Sequence, residues 1–131
     1  MFKNKICRRA LIVLSVCFML SAQAQTNKVN NWPVRPIKVI VAGPAGSGGD
    51  IFARMITAQL QEALKQPVIV DNRPGAAGNI GTEVAARANP DGHTLVMGTA
   101  GTHGINVSLY RKLGWHPVND FAPVSLSAMV P

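Results

Sequence analysis

Ile37-Lys38-Val39-Ile40-Val41, followed at once by Gly43-Pro44-Ala45-Gly46-Ser47-Gly48-Gly49-Asp50 and an amphipathic run to Leu64, is the stretch that decides the fold. The first five residues are β-branched and apolar apart from Lys38, with Pro36 before them and Gly43-Pro44 after, which reads as a buried strand. From Asp50 to Leu64, the pairs Ile51/Met55 and Phe52/Ile56, then Leu60 and Leu64, recur at helical spacing and predict one apolar helix face. Working outward, Pro67 to Asp71 reads as a second strand, Ile80 to Ala88 as a second helix and Thr94 to Gly98 as a third strand. Asn89-Pro90-Asp91-Gly92 is a turn between the last two. Strand, helix, strand, helix, strand predicts an α/β fold: a parallel sheet with flanking helices and right-handed crossovers. Val124 to Val130 reads as a fourth strand, and because Pro131 follows with no polar tail, the chain is expected to be an incomplete, truncated piece of a longer protein.

Upstream of the first strand the chain reads as an address. Lys3, Lys5, Arg8 and Arg9 form a positive region, Ala10 to Leu20 an apolar core, and Ala22-Gln23-Ala24 a small-residue cleavage site. Residues 1–24 are therefore expected to be a cleavable signal peptide and the product to be periplasmic, since the apolar core is shorter than the ~20 residues a membrane span needs. Cys7 and Cys17 leave with the signal, so no disulfide or cysteine metal site is expected in residues 25–131. Four of the 13 Lys and Arg leave as well, and nine against six acids makes the mature charge +3. These basic residues are scattered, which argues against nucleic acid as a partner.

In parallel sheets, ligands bind beyond the carboxyl ends of the strands. Three loops lie there, Gly43 to Gly49, Asn72 to Asn79 and Thr99 to Asn106, each rich in Gly and in small hydroxyl or amide residues. The first precedes a helix, whose unpaired N–H groups and dipole favour a carboxylate or phosphate. It lacks the Lys and Ser/Thr of a nucleotide P-loop and the third glycine of a dinucleotide fingerprint, so no cofactor is expected. A plain strand-to-helix turn with Asp50 at the helix start remains the structural alternative. In the second loop, Arg73 reads as a surface-turn residue and Asn79 as either a helix cap or a ligand contact. In the third, Thr99, Thr102 and His103 suit polar ligand contact better than catalysis, because no nucleophile, base and orienting acid assemble at this spacing. His93, His103 and His116 lack the paired spacing of a metal site, and Trp115 and Phe121 read as core anchors.

Seven strings in order carry a resemblance: PIKVIVAGPAGSGGD (36–50), PVIVDNRPGAAGN (67–79), Ile80-Gly81, NPDGHTL (89–95), GTAGTHGIN (98–106), Ser108-Leu109-Tyr110 and DFAPVSL (120–126). From Pro33 to Pro131 the chain resembles the N-terminal part of the Bug-type extracytoplasmic solute receptors, the substrate-binding proteins of tripartite tricarboxylate transporters. The resemblance implies a two-lobed, periplasmic-binding-protein-like receptor of which residues 25–131 form an incomplete first lobe. It implies binding of a small carboxylate-bearing solute, delivery to the membrane permease subunits, and no enzymatic step. Its ligand contacts carry onto Pro44, Ala45, Gly46, Ser47, Gly48, Gly49 and Asp50, with Thr99, Gly101, Thr102 and His103 opposite. Ala42-Gly43 stands where the family commonly has Pro and an aromatic residue, and Gly49 where Thr or Ser often precedes the Asp. One wall alone is expected to bind weakly or not at all. The alternatives are an exported α/β enzyme and a nonfunctional remnant of a receptor gene.

Overall fold

The computed structural model describes residues 32–129. The expected signal peptide, the leader from Gln25 to Asn31 and the last two residues lie outside that range. Three parallel strands form one sheet in the order β2-β1-β3, with β1 Ile37–Val41, β2 Val68–Asn72 and β3 Thr94–Met97. Strand β1 pairs on both sides, Ile37 with Val68 through Val41 with Asn72, and Lys38 with Thr94 through Val41 with Met97. A strand paired on both edges and covered on both faces must be apolar nearly throughout. Accordingly Ile37, Val39, Ile40 and Val41 are buried and Lys38 alone is exposed. The predicted strands stand within a residue at each end.

Helix α1, Gly48–Leu64, packs against β1 and β2, and helix α2, Asn79–Ala86, against β1 and β3. The core comprises Ile37, Val39, Val41, Ala53 and Val68, with Leu60, Leu64, Val70, Leu95 and Met97 against it. Ile40 points to the other face of the sheet by strand alternation, and it is just as buried, so both faces are covered. Close approach of α2 depends on one missing side chain. A β-carbon at Gly81 would stand 2.7 Å from the Arg73 carbonyl oxygen and 3.0 Å from Ala42 Cα.

The buried face of α1 is the expected one at Leu60 and Leu64 but not over the first two turns. Ile51 is 55% and Met55 62% exposed, and Phe52 also faces outward, while Asp50, Ala53 and Thr57 are buried. With Leu60 and Leu64 partly buried against the core, the inward stripe runs 50, 53, 57, 60, 64. The rotation has a local cause: Asp50 is tied beneath the preceding loop, and Ala53 lets the helix lie close on the sheet.

Two further expectations are corrected. The segment from Thr99 to Asn106 is largely helical, a π-turn at Gly101–Ile105 running into a short helix α3, Asn106–Leu109. Residues 124–129 form no strand and are exposed, with Ser127 Oγ donating to Met97 Sδ at 3.7 Å. Trp115 is buried as expected, and Phe121 packs edge-on to it at 5.8 Å between ring centres. Among the described residues, no helix is long and apolar enough to cross a membrane.

The corrected helix face is testable in the full chain by urea denaturation. Ala53→Leu forces extra volume against the sheet and is expected to cost about 1–3 kcal/mol. Met55→Lys, on the predicted but outward face, should stay within about 0.5 kcal/mol of the wild type. The reverse ranking would restore the face read from periodicity.

Candidate functional site

All three loops meet at the carboxyl edge of the sheet around a cavity of about 140 Å³. Val41 and Met97, the last residues of β1 and β3, form its floor. Ala42, Gly43, Ser47 and Gly49 line it from the first loop and the start of α1, Ala77 from the second loop, and Thr99 and Thr102 from the third. No acidic side chain is among these residues. Of the expected contacts, the structure brings Ser47, Gly49, Thr99 and Thr102 to the cavity. Pro44, Ala45 and Gly46 form the exposed crown of the first loop, Gly48 is the exposed first residue of α1, and Gly101 stands at the entry of the third segment; none of these lines the cavity.

Asp50 and His103 face elsewhere. The Asp50 carboxylate is 3% exposed and accepts from Gly46 N at 2.8 Å, Arg54 Nε at 3.0 and 3.1 Å, and Asn72 Nδ2 at 3.0 Å. The Arg54 guanidinium first, then the Gly46 amide and Asn72, hold its pKa down at about 2. Asn72 Nδ2 also donates to the Gly43 carbonyl at 3.3 Å, joining the first loop to the end of β2. Ser47 caps α1, its hydroxyl accepting from Asp50 N at 3.4 Å. Arg54 and Asn72 are therefore part of the loop's architecture, although the sequence reading did not single them out. The available signal was the i,i+4 pair of Asp50 with Arg54 on a helix.

In the third segment Thr99 and Thr102 cap each other. Thr99 N donates to Thr102 Oγ1 at 3.0 Å, and Thr102 N donates to Thr99 Oγ1 at 3.1 Å, the reciprocal pattern of a capping box. Thr102 Oγ1 also stands 2.9 Å from His103 Nδ1. The imidazole packs against Trp115 at 5.3 Å and Phe121 at 4.9 Å between ring centres, and burial pushes its pKa down. The ring thus joins an aromatic cluster while touching Thr102 of the cavity wall.

The remaining polar candidates sit apart. Arg73 Nε pairs with Asp71 Oδ1 at 3.0 Å on the surface. Asn79 does not cap α2, which Gly78 precedes without a side-chain cap; its Oδ1 accepts instead from Asn106. His93 is buried beside Asp91, which also binds Arg35 at 2.7 Å, and His116 Nδ1 accepts from Val118 N and Asn119 N. Among the described residues, no three His, Cys, Asp or Glu side chains are grouped to hold a metal ion.

The sequence profile of the tripartite tricarboxylate transporter family receptor matches residues 52–131. A UPF0065 protein of Bordetella bronchiseptica is 42% identical over 128 residues, 94% of this chain and 36% of that protein. MatC from Rhodopseudomonas palustris, solved with bound malate, is 44% identical with a TM-score of 0.69, over 71% of this chain and 32% of that one. The periplasmic binding protein BugD is 33% identical with a TM-score of 0.63, over 70% of this chain and 30% of that one. The chain thus spans about a third of the length of these relatives.

Because the folded pKa of Asp50 lies below its ordinary value of 3.8, the stability its ionised form contributes is complete above about pH 4 and is lost as pH falls through about 2. Asp50→Asn should be less stable than the wild type at neutral pH, and the gap should close in that acid window. Thermal midpoints of both chains from pH 7 to pH 2 check this. Asp91, also held at about 2, is present in both and cancels in the difference. A gap independent of pH would show that the charge contributes nothing.

Proposed function

Since the chain belongs to the tripartite tricarboxylate transporter receptor family, we propose that it forms one wall of an extracytoplasmic receptor for a small carboxylate-bearing solute. The observation that carries this reading is the cavity itself. It opens where α1 begins, beside N–H groups and the positive end of a helix dipole. Ser47, Thr99 and Thr102 line the cavity, and the Asp50 carboxylate, which does not, is paired with Arg54. A negatively charged guest meets donors there and no fixed negative charge. Malate in MatC is a ligand of this kind.

Binding and release, without a chemical step, fit the polar groups best. Thr99 and Thr102 are occupied with each other, and His103 faces Trp115 and Phe121 where a catalytic triad would need an orienting acid. In this reading residues 1–24 direct export to the periplasm and are removed, and the loaded receptor delivers its solute to the permease subunits of the transporter. N-terminal sequencing of the exported chain should begin at Gln25; a retained Met1 would overturn the signal assignment.

Malate titration of the full chain, followed by thermal shift, tests the solute. A wall contributed by this chain alone should bind in the millimolar range, about −4 kcal/mol, and raise the melting temperature with dose. Gly49→Glu, which places a negative charge at the cavity, should abolish the rise. A cooperative melt that no dicarboxylate shifts at tens of millimolar would sink the proposal.

A further inference from the structure

The second loop has a conformation its residues do not favour. Gly75, Ala76, Ala77 and Gly78 have φ of 128°, 47°, 53° and 89°, four consecutive residues on the left-handed side. Glycine adopts this region without strain, but alanine crowds its β-carbon against the following carbonyl. The turn's own bonds, Gly78 N to Gly75 O at 2.9 Å and Asn79 N to Ala76 O, are too few to impose it. It is also wedged: a β-carbon at Gly78 would lie 2.8 Å from Thr102 Cγ2 and 3.1 Å from the Ala42 carbonyl oxygen.

One side chain from another segment holds this turn. Asn106, the first residue of α3 and only 3% exposed, donates from Nδ2 to the Ala77 carbonyl at 2.9 Å and to Asn79 Oδ1 at 2.8 Å. Because a carbonyl oxygen only accepts, the amide must present its nitrogen to Ala77. A buried donor pair spanning 29 and 27 residues of sequence ties the second loop to the third. Ala77 lines the cavity, whereas Asn106 does not.

We infer that Asn106 is a positioning residue of the solute cleft: its amide clasps the turn from Gly75 to Gly78 in its left-handed form and so sets the wall at Ala77. The inference rests on the solute-binding reading for its consequence, though not for its geometry. Without the amide, the two alanines are free to return to φ below zero, the wall at Ala77 retreats, and an acid loses fit although no group in the cavity has changed.

The test combines NMR of the full chain, labelled with 13C and 15N at alanine, with malate affinity. In Asn106→Ala, the Ala76 and Ala77 signals should leave left-handed shifts and couplings, while Ala53 in α1 keeps its own. Malate affinity should fall roughly tenfold, as for a lost buried hydrogen-bonded pair. Adding Ala76→Gly and Ala77→Gly to Asn106→Ala should recover most of that affinity, since glycine holds positive φ without the clasp; a merely structural asparagine would not be rescued in this way. Unchanged Ala76 and Ala77 signals in Asn106→Ala, or a loss of affinity that the glycines do not repair, overturns the inference. Should Asn106→Ala not fold, the wild-type background decides. There Ala77→Gly should raise the melting temperature by roughly 2–5 °C through relief of strain, and a fall would mean that there is no strain for Asn106 to hold. Absence of malate binding by the wild type overturns the solute reading, and the NMR arm still decides the clasp.

Discussion

The buried carboxylate of Asp50 is the interaction on which the site depends. It gathers the Gly46 amide, the Arg54 guanidinium and the Asn72 amide around one charge. A buried carboxylate left unpaired is expensive, so each of these donors is strongly required. Their combined effect is geometric. The loop after β1 is drawn down onto α1, the end of β2 is joined to both, and α1 is rotated so that Ala53 rather than Phe52 meets the sheet. The exposure of Ile51 and Met55 follows from this constraint.

With Asp50 neutralised in place, the cavity edge is left with backbone amides, small hydroxyls and the positive end of α1. The third segment contributes in the same manner. Thr99 and Thr102 stiffen each other by reciprocal bonds, and His103 braces them against Trp115 and Phe121. Polar groups that a reader of the sequence would place in contact with a ligand thus spend their hydrogen bonds on shaping the wall. Such rigid placement suits recognition, where the cost of ordering a site is met before the ligand arrives.

Much of the fold was legible along the chain. Ile37 to Val41 is apolar nearly throughout because a central parallel strand is covered on both faces, and Pro and Gly punctuate each element. The carboxyl-edge loops were legible for the same reason, since a βαβ order leaves them on one edge. Less visible was the rotation of α1, because Ile51, Phe52, Met55 and Ile56 make as good an apolar stripe as the one that packs, and periodicity does not weigh a buried aspartate. Glycine and threonine in Gly101 to Ile105 also suggested a loop, where mutual capping produces a helical turn. The apolar run from Val124 onward read as a strand, yet residues 124–129 pair with no strand of the sheet.

The sequence by itself determined the α/β class, the parallel order implied by alternating elements, the sheet edge at which the three loops gather and the family to which the chain belongs. These follow from local pattern: the twofold and 3.6-fold periods, the turn residues, and motifs in fixed order. Only the tertiary structure decided which of those residues face the cavity. That choice depends on contacts between segments far apart in sequence, Asp50 with Asn72 and Asn106 with Ala77, whose energies are set by burial and hydrogen-bond geometry and have no counterpart in local spacing.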